Sequence, residues 1–156
     1  MSPTDAVTKI ARWLAAALLL ALPFPARAVL GDNAASVLSD QARMKGTLRS
    51  VDAHTYVMHE ITVPMSTTVR EFVSPAGVVF GVAWEGQVPP DFQSLLGPYY
   101  EQAKQAAQAE PRARRAPIVI QTPGLVFQYS GHTRSFHGAA YIPQLVPTSM
   151  KASDIR

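Results

Sequence analysis

Apolar residues alternate with polar ones along some stretches of the chain and recur every three or four positions along others, and these two periods predict its strands and helices. After Gly31, Asp32 and Asn33 offer caps for a short helix in which Val37, Leu38, Ala42 and Met44 fall at helical spacing until Gly46 stops it. From Thr47 to Trp84 the pattern is that of strands. Tyr56 to Val63 is rich in β-branched and aromatic residues and ends at Pro64, and Thr67 to Val73 makes a second strand. Ser74-Pro75-Ala76-Gly77 matches a type I turn into a third, Val78 to Trp84. Short connections predict an antiparallel meander, and the unbroken run Val78-Val79-Phe80 predicts a strand covered on both faces.

Pro89-Pro90-Asp91 is a helix-start signature, and Phe92, Leu95, Leu96, Tyr99, Tyr100, Ala103 and Ala107 then recur at helical steps. Gly97-Pro98 falls inside this pattern. An interior proline loses a hydrogen bond and clashes with the preceding turn, so the spacing predicts a kink, or a second helix opened by Pro98. Glu110 to Pro117 loses the apolar period and reads as an exposed connector. Strand signals resume at Ile118 to Gln121, Leu125 to Tyr129 and Arg134 to Ile142, the last two joined across Ser130-Gly131-His132-Thr133 as a hairpin. Pro143 and Pro147 then break the sheet and leave an extended tail to Arg156. The predicted class is α+β: an antiparallel sheet, meander plus C-terminal hairpin, with one main kinked amphipathic helix on one face and a short N-terminal helix.

The first 28 residues follow neither period. Cations at Lys9 and Arg12, the apolar run Trp13 to Leu22 and the box Ala26-Arg27-Ala28 form the three parts of a cleavable secretory signal, with cleavage set by Ala26 and Ala28. The apolar run is about half of the roughly 20 residues that span a bilayer core, so no permanent membrane span is expected. Removing 28 of the 156 residues leaves 128, enough for a single domain over residues 29–156. Most of the net charge of +3 leaves as well, because Lys9, Arg12 and Arg27 go and only Asp5 goes with them, leaving 11 basic against 10 acidic residues. That balance gives no drive toward nucleic acid. There is no cysteine, which excludes disulfides, thiolate metal sites and thiol nucleophiles, and a cysteine-free exported chain fits the bacterial periplasm or the secreted fraction.

Several segments, taken in order, resemble an uncharacterised bacterial exported family, domain of unknown function 2844. They are His59-Glu60-Ile61, Val69-Arg70-Glu71-Phe72-Val73-Ser74, Ala76-Gly77-Val78-Val79-Phe80 through Ala83-Trp84, and Pro90-Asp91 with Leu95-Leu96-Gly97. Ser130-Gly131-His132 with Arg134 and Phe136, and the closing Asp154-Ile155-Arg156, extend the match. The resemblance implies export and brings no activity, cofactor or catalytic residue. Met65-Ser66-Thr67 stands where a Ser-Gly-Thr turn is expected, and Pro98 interrupts a segment expected to be continuous.

Candidate chemistry is sparse. His54, His59, His132 and His137 with Glu60 include metal-ligand types, but His59 and Glu60 point to opposite faces of a strand and no H-E-x-x-H helix exists. A site of His59, His132 and His137 is the weak alternative to no metal, and no cofactor is expected. No G-x-S-x-G or S-x-x-K pattern marks a nucleophile. Arg70-Glu71 is expected to make cross-strand ion pairs. The arginines Arg112, Arg114 and Arg115, with His132 at the hairpin, are the candidate ligand contacts, since guanidinium forks suit phosphate and carboxylate. These features favour a non-catalytic cell-envelope binding or accessory protein, partnered by another envelope protein or an anionic envelope component. The alternative is a small metal-dependent or hydrolytic enzyme using histidines near residues 130–137.

Overall fold

The computed structural model describes residues 30–64, 66–109 and 116–156. The N-terminal segment expected to be a signal, with Ala26 and Ala28, the Met65 turn position and the arginines at 112, 114 and 115 lie outside the described residues.

Alternation produces seven strands: β1 (Thr47–Asp52), β2 (Val57–Thr62), β3 (Thr67–Val73), β4 (Val79–Gly86), β5 (Ile118–Gln121), β6 (Val126–His132) and β7 (Ser135–Tyr141). They pair antiparallel in one sheet of order β1-β2-β3-β4-β7-β6-β5. Successive side chains point to opposite faces, so Ile61, Val69, Val82, Trp84, Phe127 and Ala140 share an inner face, whereas Phe72, Ala83 and Ala139 share an outer one. β4 is buried on both. Phe72 faces Gly81 but Val73 faces Val79, and this bulge leaves Phe80 without a register partner in β3 and turned to the outer face, while its carbonyl accepts from Ile142 N–H.

Helices cover the inner face. In α1 (Ser36–Met44) the side chain of Val37 is buried, while Leu38, also on the apolar period, is 62% exposed. Lys45 ends α1 in the left-handed region (φ 52°), and Gly46 N–H returns to the Gln41 carbonyl. Asp91 caps α2 (Phe92–Leu96), accepting from the Gln93 and Ser94 N–H groups. Pro98 cannot donate to a regular helix. The chain therefore tightens into a 3₁₀ turn at Gly97–Tyr99 before α3 (Tyr100–Ala109), so the expected kink takes the form of two helices and a turn. Leu95, Leu96 and Ala103 bury against the sheet, each aliphatic side chain the size of leucine contributing about 1.5–3 kcal/mol.

Two expectations change. The β6–β7 ladder runs on through Gly131 and His132, pairing His132 with Ser135, so the turn is Thr133-Arg134, with Arg134 at φ 64°. The tail beyond Pro143 is not simply extended. Two short 3₁₀ turns, Pro143–Leu145 and Ala152–Asp154, fold it onto the outer face, where Met150 and Ile155 bury against Phe72, Phe80, Ala83 and Ala139. At the other end Leu30 is buried, and the Gly31 N–H to Val79 carbonyl and Val79 N–H to Asp32 carbonyl bonds, both 2.8 Å, stitch residues 31 and 32 to β4.

Candidate functional site

Strand register assembles the outer face row by row. One row reads Glu60, Arg70, Ala83, Ala139, Gln128 and Val119 across β2, β3, β4, β7, β6 and β5. The next reads Thr68, Glu85, His137 and Ser130. Small residues hold the centre. No long side chain rises from Ala83 or Ala139, and the tail stops short, with Ile155 packed over Gly81. A cleft of about 590 Å³ remains, with Arg70, Glu85, Gln128, Ser130, His137 and Arg156 among its polar walls and Val119, Ala139 and Ile155 among its apolar ones.

Arg70 is the electrostatic centre of this cleft. Its Nε lies 2.9 Å from Glu60 and its Nη2 lies 2.5 Å from Glu85. Burial works against the charge, but the bonds to Glu85 and Glu60 and their attraction outweigh it and hold the guanidinium above its ordinary pKa. Arg156 has no ion pair among the described residues. Glu85, His137 and Ser130 sit on adjacent strands in the order carboxylate, imidazole, hydroxyl. Among the described residues no hydrogen bond joins the three, so Ser130 has no base engaged with its hydroxyl, whereas donors and acceptors stand free for a ligand.

The histidines scatter. His137 lines the cleft, His132 sits at the end of β6, exposed beside the Thr133-Arg134 turn, and His54 sits in the β1–β2 turn at φ 67°. His59 is on the inner face, where Nδ1 meets Ser50 Oγ at 2.8 Å and burial holds its pKa below the ordinary value. His59 and His137 thus point to opposite sides of the sheet, and no group of three or more metal-ligand residues converges among the described residues.

Sequence reasoning passed over most of the cleft, because Arg70, Glu85, Gln128 and Ser130 come from three strands that only the register brings together. It also expected Arg70 and Glu71 alike to make cross-strand ion pairs. Arg70 does bridge carboxylates, but Glu71 points inward with Val69 and Val73, buried under α1 beside Asp40. The parity of Val69-Glu71-Val73 was the signal for that burial.

No helix among the described residues is long and apolar enough to cross a membrane. The model of one protein family, described as protein of unknown function (DUF2844), matches residues 26–155. No curated protein and no solved structure matches the chain.

Proposed function

The chain belongs to the family of proteins of unknown function DUF2844, and from that premise we propose that it is an exported cell-envelope binding or accessory protein whose ligand occupies the outer-face cleft. The observation that carries this reading is the cleft itself. Its volume of about 590 Å³ falls in the roughly 300–1,000 Å³ range of small-molecule sites. Its floor is apolar and small, and its walls offer donors from Gln128 and Arg156, an acceptor from Glu85, and both from Ser130. Export rests on the N-terminal pattern of cations, apolar run and Ala26-Arg27-Ala28 box. The ligand chemistry that fits is a polar envelope component carrying an anionic group, with Arg156 as the cation not already paired.

Native mass spectrometry of the protein released from the envelope fraction tests both halves. A polypeptide beginning at Val29 is the expected mature form, and one beginning at residue 1 or 2 overturns export with cleavage. A bound mass carried by the wild type and lost in Ala139→Trp, which fills the floor, and in Val119→Arg, which charges the wall, is the expected result. The same bound mass on all three proteins, or none on any, overturns the cleft as the binding site. Ester turnover by the wild type that disappears in Ser130→Ala makes the cleft catalytic instead.

A further inference from the structure

On the inner face Asp40 of α1 and Glu71 of β3 are each 1% exposed. Asp40 Oδ1 takes the Arg43 guanidinium, while Asp40 Oδ2 and both Glu71 oxygens lack a donor as long as both carboxyls are ionised, and a proton on Glu71 supplies the side-chain hydrogen bond that joins it to Asp40. The groups around Glu71 are few. From α1 come Asp40 and Arg43, and from β2 comes His59, its register partner, held by Ser50. From β4 comes the uncharged Val82, and from the start of α2 comes Asp91, whose Oδ2 is 3.9 Å from Arg43 Nη1. One permanent cation therefore faces three carboxyl groups, two of them out of water. A second buried negative charge has nothing to balance it, and unpaired buried charge is among the costliest features a fold can carry.

We propose that Glu71 is a proton-operated latch for α1: neutral, it lets the helix lie on the sheet beside Asp40, and ionised, it loosens the helix and raises its opening. Release extends the neighbouring cleft of about 260 Å³, which is lined in part by Arg43, Met44, Thr67, Val69 and Asp91. This device is independent of the outer-face cleft.

Burial first, and then the Asp40 charge, push Glu71 up to about 8, and burial raises Asp40 as well against the pull of Arg43. Once α1 is released, Glu71 returns toward its ordinary value of 4.5. The closed form alone then holds the proton between 4.5 and about 8, so its stability falls as pH rises through that window and levels off above it. Between pH 6 and pH 8 the opening constant of α1 rises about fifty-fold.

Hydrogen–deuterium exchange of the full chain at the two pH values, corrected for intrinsic exchange rates, reads this directly. Peptides covering residues 36–44 lose about fifty-fold in protection from pH 6 to pH 8 in the wild type, while peptides from β6 and β7 keep theirs. Glu71→Gln, which cannot ionise, holds α1 protection level across the range, and Asp40→Asn, which removes the neighbouring charge, shrinks the loss. His59→Gln leaves the loss intact. Equal α1 protection at both pH values in the wild type, or an undiminished loss in Glu71→Gln, overturns the latch.

Discussion

A single methyl group at Gly138 tests the packing on which both faces of the sheet depend. Gly138 lies on the inner side of β7, between His137 and Ala139 of the cleft, and the indole of Trp84 passes across it. A Cβ there would stand 2.5 Å from Cζ2 and 2.9 Å from Cε2 of Trp84, and closer still to the Gln128 carbonyl oxygen, where packed carbons sit about 3.5–4.0 Å apart. Neither neighbour can yield. The carbonyl belongs to β6, held in register against β7, and the indole is 2% exposed, with Phe92 and Phe127 at ring centroids 5.1 and 5.7 Å away. Overpacking costs about 1–3 kcal/mol, and with main chain involved Gly138→Ala should lose about 3 kcal/mol, roughly 10 °C in Tm for a chain of this length. Trp84 is the sole tryptophan after Trp13, so urea unfolding of residues 29–156 followed by fluorescence reports from the site itself. Gly124→Ala is the control, since nothing lies within 4 Å of its added Cβ, and it should change stability by less than about 1 kcal/mol. A Gly138→Ala protein within about 0.5 kcal/mol of wild type, with unaltered near-ultraviolet circular dichroism, would refute the packing described for Trp84.

Asp91→Ala removes the α2 cap, whose carboxylate accepts from Gln93 N–H at 3.1 Å, Ser94 N–H at 3.4 Å and Ser94 Oγ at 2.5 Å, and should cost about 1 kcal/mol in urea unfolding. The Ser94 hydroxyl bond holds this carboxyl below its ordinary 3.8 against the opposing effect of burial. The deficit is therefore fully present above pH 3.8 and should fade as pH falls through the lower folded-state value; a deficit unchanged in acid would discount the charged cap. Arg70→Met leaves Glu60 and Glu85 facing each other across the outer face and should destabilise by about 1–2 kcal/mol. Raising salt from about 0.1 M to about 1 M should narrow that gap, and a gap that widens would rule out an electrostatic origin.

Much of the architecture was legible in local pattern. The bounds of β3 and β5 follow from β-branched and aromatic runs set between prolines, and Asp91 announces α2, because backbone geometry and first-turn capping depend on neighbours in sequence. Gly97-Pro98 announced the break between α2 and α3, since a missing N–H acts wherever it occurs. Local pattern also pointed to the family whose model matches residues 26–155.

Tertiary structure decided the rest. No local period places β7 beside β4 or sends the tail back over Gly81 and Ala83, because those pairings join residues 50 or more positions apart and depend on which surfaces bury best together. The cleft exists only through them: Arg70, Glu85, His137 and Ser130 are ordinary strand residues until register sets them side by side over a floor of alanine. Glu71 shows the same division. Its parity with Val69 and Val73 marked it for the inner face, but that α1 would set Asp40 against it, with Arg43 paired to Asp40 and not to Glu71, was settled only by helix packing on the finished sheet.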